Sequence, residues 1–138
     1  MDTVFVIMLK DKKTGFLEKE LGSLSLTEND NYIVNMFVME QEQGEKLYIR
    51  LSTGCDVADW EYSAIYDYYD SQALEELGAV VEEADDDYNP VWQIVIDYNG
   101  DMAETEKMVS DILLIHHNEM VDVFEAIKDK ESEYTNEE

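Results

Sequence analysis

Residues 91–128 read VWQIVIDYNGDMAETEKMVSDILLIHHNEMVDVFEAIK, and a change of period inside this stretch decides the fold class. From Val91 to Tyr98 the apolar side chains recur every second residue, so Trp92, Ile94, Ile96 and Tyr98 share one face of a strand. Asn99-Gly100 then breaks the chain. Asp101, with Glu104 three residues on, supplies a capping-box start. Beyond it the period becomes 3.6 and predicts a helix over 102–128. Met102, Val109, Ile112, Leu113, His116, Met120, Val123, Phe124 and Ile127 fall on one side of it, and Glu104, Asp111, Asn118, Asp122, Glu125 and Asp129 on the other. A long helix with one apolar stripe, preceded by a half-buried strand, calls for a helix laid on a sheet.

Upstream the signals are mostly those of strands. Residues 3–10 (TVFVIMLK) and 16–26 (FLEKELGSLSL) flank Asp11-Lys12-Lys13-Thr14-Gly15 and predict a hairpin, with Gly22 marking a bulge or a close approach. Residues 32–40 (YIVNMFVME) and 46–53 (KLYIRLST) predict a second hairpin. Over 57–69, Trp60, Tyr62, Ala64, Tyr66 and Tyr68 alternate with Asp59, Glu61, Ser63, Ile65 and Asp67, which predicts a further strand. Residues 71–78 predict a short helix between Ser71 as N-cap and Gly78 as C-cap, and 79–84 pairs naturally with 91–98 across a DDDYNP turn.

Short connections favour an antiparallel meander, so the expectation is a single α+β domain over 1–128. It has a mostly antiparallel sheet of six or seven strands, the long C-terminal helix packed on one face and the short helix near 71–78. The expected core includes Phe5, Ile7, Val34, Phe37, Ile49, Trp60, Tyr62, Trp92, Ile94, Ile96, Val109, Ile112, Leu113 and Phe124. Residues 129–138 carry no apolar period and are expected to form a disordered acidic tail.

With 138 residues, 45% of them hydrophobic, the chain can bury one core without disulfides. Cys55 is the sole cysteine, which suits a reducing cytoplasm. The N-terminal run lacks a signal peptide's basic flank and cleavage site, and no apolar stretch reaches the roughly 18 residues of a membrane span. Arg50 is the single arginine beside eight lysines, the usage of an AT-rich bacterial genome.

Charge is the extreme property: 34 acidic residues against 9 basic ones, net −25. Residues 1–54 hold 9 acids and 6 bases, and residues 55–138 hold 25 acids and 3 bases, so the second half is the polyanion. Such a field disfavours nucleic acid and anionic membrane and attracts cations or a basic protein. Its simplest role is to keep the protein dissolved.

Carboxylates also suit divalent cations. Asp85, Asp87 and Asn89, and again Asp97, Asn99 and Asp101, match the first three ligand positions of a calcium loop. Both then fail at the required glycine, replaced by Pro90 and Met102, and at the bidentate glutamate, replaced by Ile96 and Met108. His116 and His117, adjacent on the helix, diverge by about 100° and cannot share one metal without other ligands. The simpler reading of His116 is a core histidine between Ile112 and Met120. Asp56 beside Cys55 raises the thiol pKa, so that sulfur reads as inert. No phosphate-cradling glycine loop and no G-x-S-x-G elbow occurs.

No cofactor is implied. The favoured reading is a non-enzymatic interaction module that presents acids to a basic partner. Glu104, Asp111, Asp122, Glu125 and Asp129 on the helix, with Asp85, Asp86 and Asp87 in the turn, form its surface. One special form of this reading is a nucleic-acid mimic that blocks a DNA-binding protein. The rival is a carboxylate-based, metal-dependent enzyme using His116 or His117 with an Asp or Glu, and the candidate metal residues are Asp85, Asp87, His116 and His117.

Overall fold

In a computed structural model, residues 3–84 and 88–135 are described. Both predicted hairpins form. Strand β1 (Thr3–Lys10) pairs antiparallel with β2 (Leu17–Leu26), and β3 (Ile33–Gln41) with β4 (Gly44–Leu51). Gly15, at φ 77°, closes the first turn in the left-handed region that a side chain disfavours. Then follow α1 (Asp59–Tyr68), α2 (Gln72–Glu76), β5 (Val80–Ala84), β6 (Val91–Asp97), α3 (Met102–Ile127) and α4 (Glu131–Thr135).

The six strands make one sheet in the order β2-β1-β3-β4-β6-β5. It is mostly antiparallel but is not a meander, because β3 lies beside β1 and runs parallel to it, with Leu9 opposite Val38. Residues 27–32 carry the chain from the edge strand β2 past the end of β1 to reach that position. Asn29, at φ 63°, makes the bend, and the Thr3 hydroxyl donates to Asp30 at 2.9 Å to hold the passing loop. At the other end α1 and α2 carry the chain out to the edge strand β5, and β6 returns between β5 and β4.

Within the segment 57–69, read as a strand, Asp59–Tyr68 is helical. Ala64 and Ile65 are adjacent and both fully buried, which a strand with one buried face cannot achieve. Tyr62 and Tyr66, four residues apart, stack edge to face at 5.3 Å on the surface of α1. Glu61 accepts from the Ala58 amide at 2.8 Å and holds the helix start. The period-two signal arose because aromatics on two sides of a helix happened to fall on even positions.

Helix α3 lies on one sheet face and buries Val109, Ile112, Leu113, His116, Met120, Val123 and Ile127 against Ile7, Leu24, Leu47, Ile49, Trp92 and Ile94. Asp101 caps it, its carboxylate accepting from the Glu104 amide at 3.1 Å. Among the expected core residues, Val34 is corrected: it sits at a register shift in β3 and is 50% exposed. Phe5, Trp60, Tyr62 and Phe124 are only partly buried. The tail is also corrected over Glu131–Thr135, where α4 turns back and Tyr134 packs near Trp60 and donates to Asp67 at 2.7 Å. A single aromatic in an otherwise polar run supplies enough apolar contact to dock one turn.

Gly22 shows both features expected of it. It adjoins the β1–β2 register shift, and a Cβ built there meets the Met102 side chain at 2.8–2.9 Å along much of its length. Gly22→Ala is therefore expected to destabilise the protein by about 1–3 kcal/mol through overpacking. Met102→Ala in the same chain should recover much of the loss, and a urea double-mutant cycle measures the coupling.

Candidate functional site

The buried half of α3 carries one imidazole, and its surroundings define the chemistry available there. His116 is fully buried. Its Nε2 lies 2.7 Å from the Ser52 carbonyl at the end of β4, and its Nδ1 lies 2.8 Å from the Tyr69 hydroxyl just past α1. A carbonyl only accepts, so Nε2 carries the proton, and Tyr69 donates to Nδ1. The ring is thus neutral with both nitrogens engaged. Trp92 and Tyr32 meet it edge-on at 5.4 and 4.9 Å, and Tyr69 stacks on Trp92 at 4.2 Å. Burial drives the His116 pKa down to about 4, against a smaller opposing pull from the Ser52 carbonyl.

His117 points elsewhere, its Nδ1 sharing a hydrogen bond of 2.7 Å with the Tyr32 hydroxyl. Glu119, the nearest carboxylate in helix spacing, turns to the Asp70 amide at 2.8 Å between α1 and α2, and burial raises its pKa. The two histidines therefore stand in separate hydrogen-bonded settings. Among the described residues no group of three His, Cys, Asp or Glu side chains is placed to hold a metal ion. Asp85, Asp86 and Asp87 lie outside the described residues.

Tyr32, Ser52, Tyr69 and Trp92 were missed as partners of His116. They lie 24 to 84 residues away along the chain, and no local period marks them. Tyr32 also lines a shallow cavity of about 320 Å³ with Asn31, Ser52, Cys55, Asp56 and Asn89. Burial, followed by Glu61 and Asp56, raises the Cys55 thiol pKa, so the exposed sulfur is held as a poor nucleophile.

The acids named on α3 are brought to one surface. Glu104, Asp122, Glu125 and Asp129 are exposed and Asp111 is half-buried. Lys107 pairs with Asp111 at 3.2 Å and Lys128 with Glu125 at 2.6 Å, both on the surface where such pairs are worth little. Glu104 accepts from Asn99 at 3.1 Å. Glu104 and Asp111 also rim a cavity of about 370 Å³ between the end of α2, the end of β6 and the first turns of α3. Leu77, Ile96 and Met108 give it an apolar floor, and Asp97 and Lys107 complete the charged wall. No helix of the described residues is long and apolar enough to cross a membrane.

One family model matches residues 1–135, that of a family of unknown function (DUF6762). No curated protein and no solved structure matches the chain.

The imbalance at His116 has a pH signature. Its folded pKa of about 4 lies below the ordinary 6.5, so the unfolded chain takes up the proton first. The contribution of the neutral ring is complete above about pH 6.5 and is lost as pH falls toward 4, at about 1.4 kcal/mol per unit. His116→Phe leaves the Ser52 carbonyl and Tyr69 hydroxyl without their partner and is expected to cost about 2–4 kcal/mol at pH 7.5. The gap between wild type and variant should shrink by about 2 kcal/mol at pH 5, since the carboxylates titrate alike in both. Urea unfolding at the two pH values measures it, and a gap independent of pH would contradict a neutral buried ring.

Proposed function

We propose that this chain, which belongs to the DUF6762 family, is a non-enzymatic interaction module whose acidic helical surface docks a basic protein in a bacterial cytoplasm. The observation that carries this reading is the cavity beside the first turns of α3. Its apolar floor of Leu77, Ile96 and Met108 matches the methylene stem of a lysine or arginine, and its rim carboxylates Glu104 and Asp111 match the charged head, which would take the place of Lys107 at Asp111. Asp122, Glu125 and Asp129 continue the acidic surface along the helix. The field of 34 acids speeds the approach of a cationic partner, and the cavity supplies the local shape that screened charge alone lacks beyond about 8 Å.

The chemistry of the histidines supports the same reading over a metal-dependent enzyme. Both His116 nitrogens are committed to the fold, and His117 answers Tyr32. A nucleic-acid mimic is the special form in which the docked protein is itself a DNA binder, the α3 carboxylates taking the place of phosphates. The exposed single thiol of Cys55 suits the reducing setting.

The test is capture of partners from the native host on immobilised protein, followed by affinity measurement with the purified partner. Binding is expected to weaken at least about tenfold between about 0.05 and 0.5 M salt. The variant Glu104→Lys/Asp111→Lys/Asp122→Lys/Glu125→Lys should weaken it by about 10–100-fold, chiefly through slower association. An affinity indifferent to both salt and charge reversal would overturn the acidic-surface reading.

A further inference from the structure

A second surface lies on the face of the sheet turned away from α3, and of the residues named for the two surfaces they share only Asp97, at the end of β6. The helices cover one face of the sheet, and the other is open among the described residues. Antiparallel sheets that face water on one side normally alternate apolar and polar positions. Here β1 and β3 read VFVIML and IVNMFVM, the near-continuous runs of strands covered on both sides. The register accordingly puts Val4, Val6, Phe37, Tyr48, Val80 and Val95 together on the open face. Val4, Val6 and Val80 are 63%, 49% and 57% exposed, Tyr48 and Val95 are half-buried, and Phe37 is buried between Lys10 and the stacked Tyr48 ring. An apolar field of this extent on a folded protein marks an interface.

Charge selects the occupant. Among the ladder-paired positions of the open face, Lys10, Lys46 and Arg50 offset Glu20, Asp97 and Glu82, so this face is neutral in a chain of net −25. Several of these charges are already engaged within the face: Lys46 pairs with Asp97, the Arg50 Nε–H donates to Gln93 at 3.1 Å, and Lys10 sits 4.2 Å over the Phe37 ring. A neutral apolar face offers no pull to a strongly charged partner. It is the side on which a second polyanion can approach without facing the first one's acids. We propose that the open face of the sheet is the contact between two copies of this chain, packed sheet on sheet.

Geometry permits it. Six strands about 4.8 Å apart and about seven residues long cover roughly 600 Å² per copy, or about 1,200 Å² in the pair, above the roughly 1,000 Å² that a specific interface needs. With layers about 10 Å apart, the two acidic helix layers end about 30 Å from each other, more than three screening lengths at physiological salt.

Sedimentation of the full chain tests the proposal and separates it from the acidic-surface reading, because salt acts on the two with opposite sign. Between about 1 and 500 µM the mass should rise from 16.0 kDa toward twice that value, and about 0.5 M salt should favour the dimer by screening residual repulsion. Val4→Glu/Val6→Glu puts acids on exposed open-face positions and should hold the mass at 16.0 kDa while leaving the melting curve of the monomer intact. Val80→Glu on the edge strand gives the same readout should that pair fail to fold. Leu114→Glu/Val121→Glu, at the exposed side of α3, should dimerise like the wild type. A mass of 16.0 kDa at every concentration and salt overturns the proposal, as does a dimer that survives the open-face acids or is broken by the helix-side ones.

Discussion

The helix α3 must hold one position on a sheet whose covered face is almost wholly aliphatic, and aliphatic contact alone does not choose among neighbouring positions. The imidazole of His116 makes the choice. Its Nε2–H needs the Ser52 carbonyl at the end of β4 and its Nδ1 needs the Tyr69 hydroxyl past α1, so three elements are placed by one ring. Sliding α3 by a turn would strand a buried donor, a buried acceptor and a carbonyl together, at a cost of several kcal/mol. At the start of the same helix Gly22 lets Met102 come down against β2, which fixes the height of α3 above the sheet edge. No buried side-chain polar atom among the described residues is left without a partner, which is what a neutral buried imidazole requires.

The distribution of charge follows from the same layering. Four of the six strands come from residues 1–54, with 9 acids and 6 bases, whereas β5, β6 and all four α-helices come from residues 55–138, with 25 acids and 3 bases. A two-layer fold therefore becomes electrically two-sided: the outer side of the helices is strongly negative and the open side of the sheet is neutral. Self-repulsion destabilises a compact chain of this charge. Spreading the acids over the outward faces of α1, α2 and α3 and the edge strand β5, where water screens them, keeps that cost small. The two sides are suited to different partners for this reason, the negative one to a basic protein and the neutral apolar one to a surface of the same kind.

Local periodicity made much of the fold legible. Two hairpins, the β6 strand, the capped start of α3 and its apolar stripe were readable because each depends on residues within a few positions of one another. The segment 57–69 was misread for an instructive reason. Aromatic residues are common in strands and on helix surfaces alike, and over ten residues a period of two and a period of 3.6 share enough positions to be confused. Ile65 carried the contrary information, since an isoleucine assigned to water beside four buried aromatics is the wrong way round for a strand.

By itself the sequence determined the fold class, the position of the long helix, the acidity of the second half and the presence of one histidine in an apolar stripe. All of these are sums or periods along the chain. Only the tertiary structure decided that β3 lies parallel to β1, that Tyr32, Ser52, Tyr69 and Trp92 gather around His116, and that the described residues leave one face of the sheet open. These are facts about which residues meet across tens of positions. They are set by how layers stack and by which buried polar atoms must find each other, neither of which leaves a local trace.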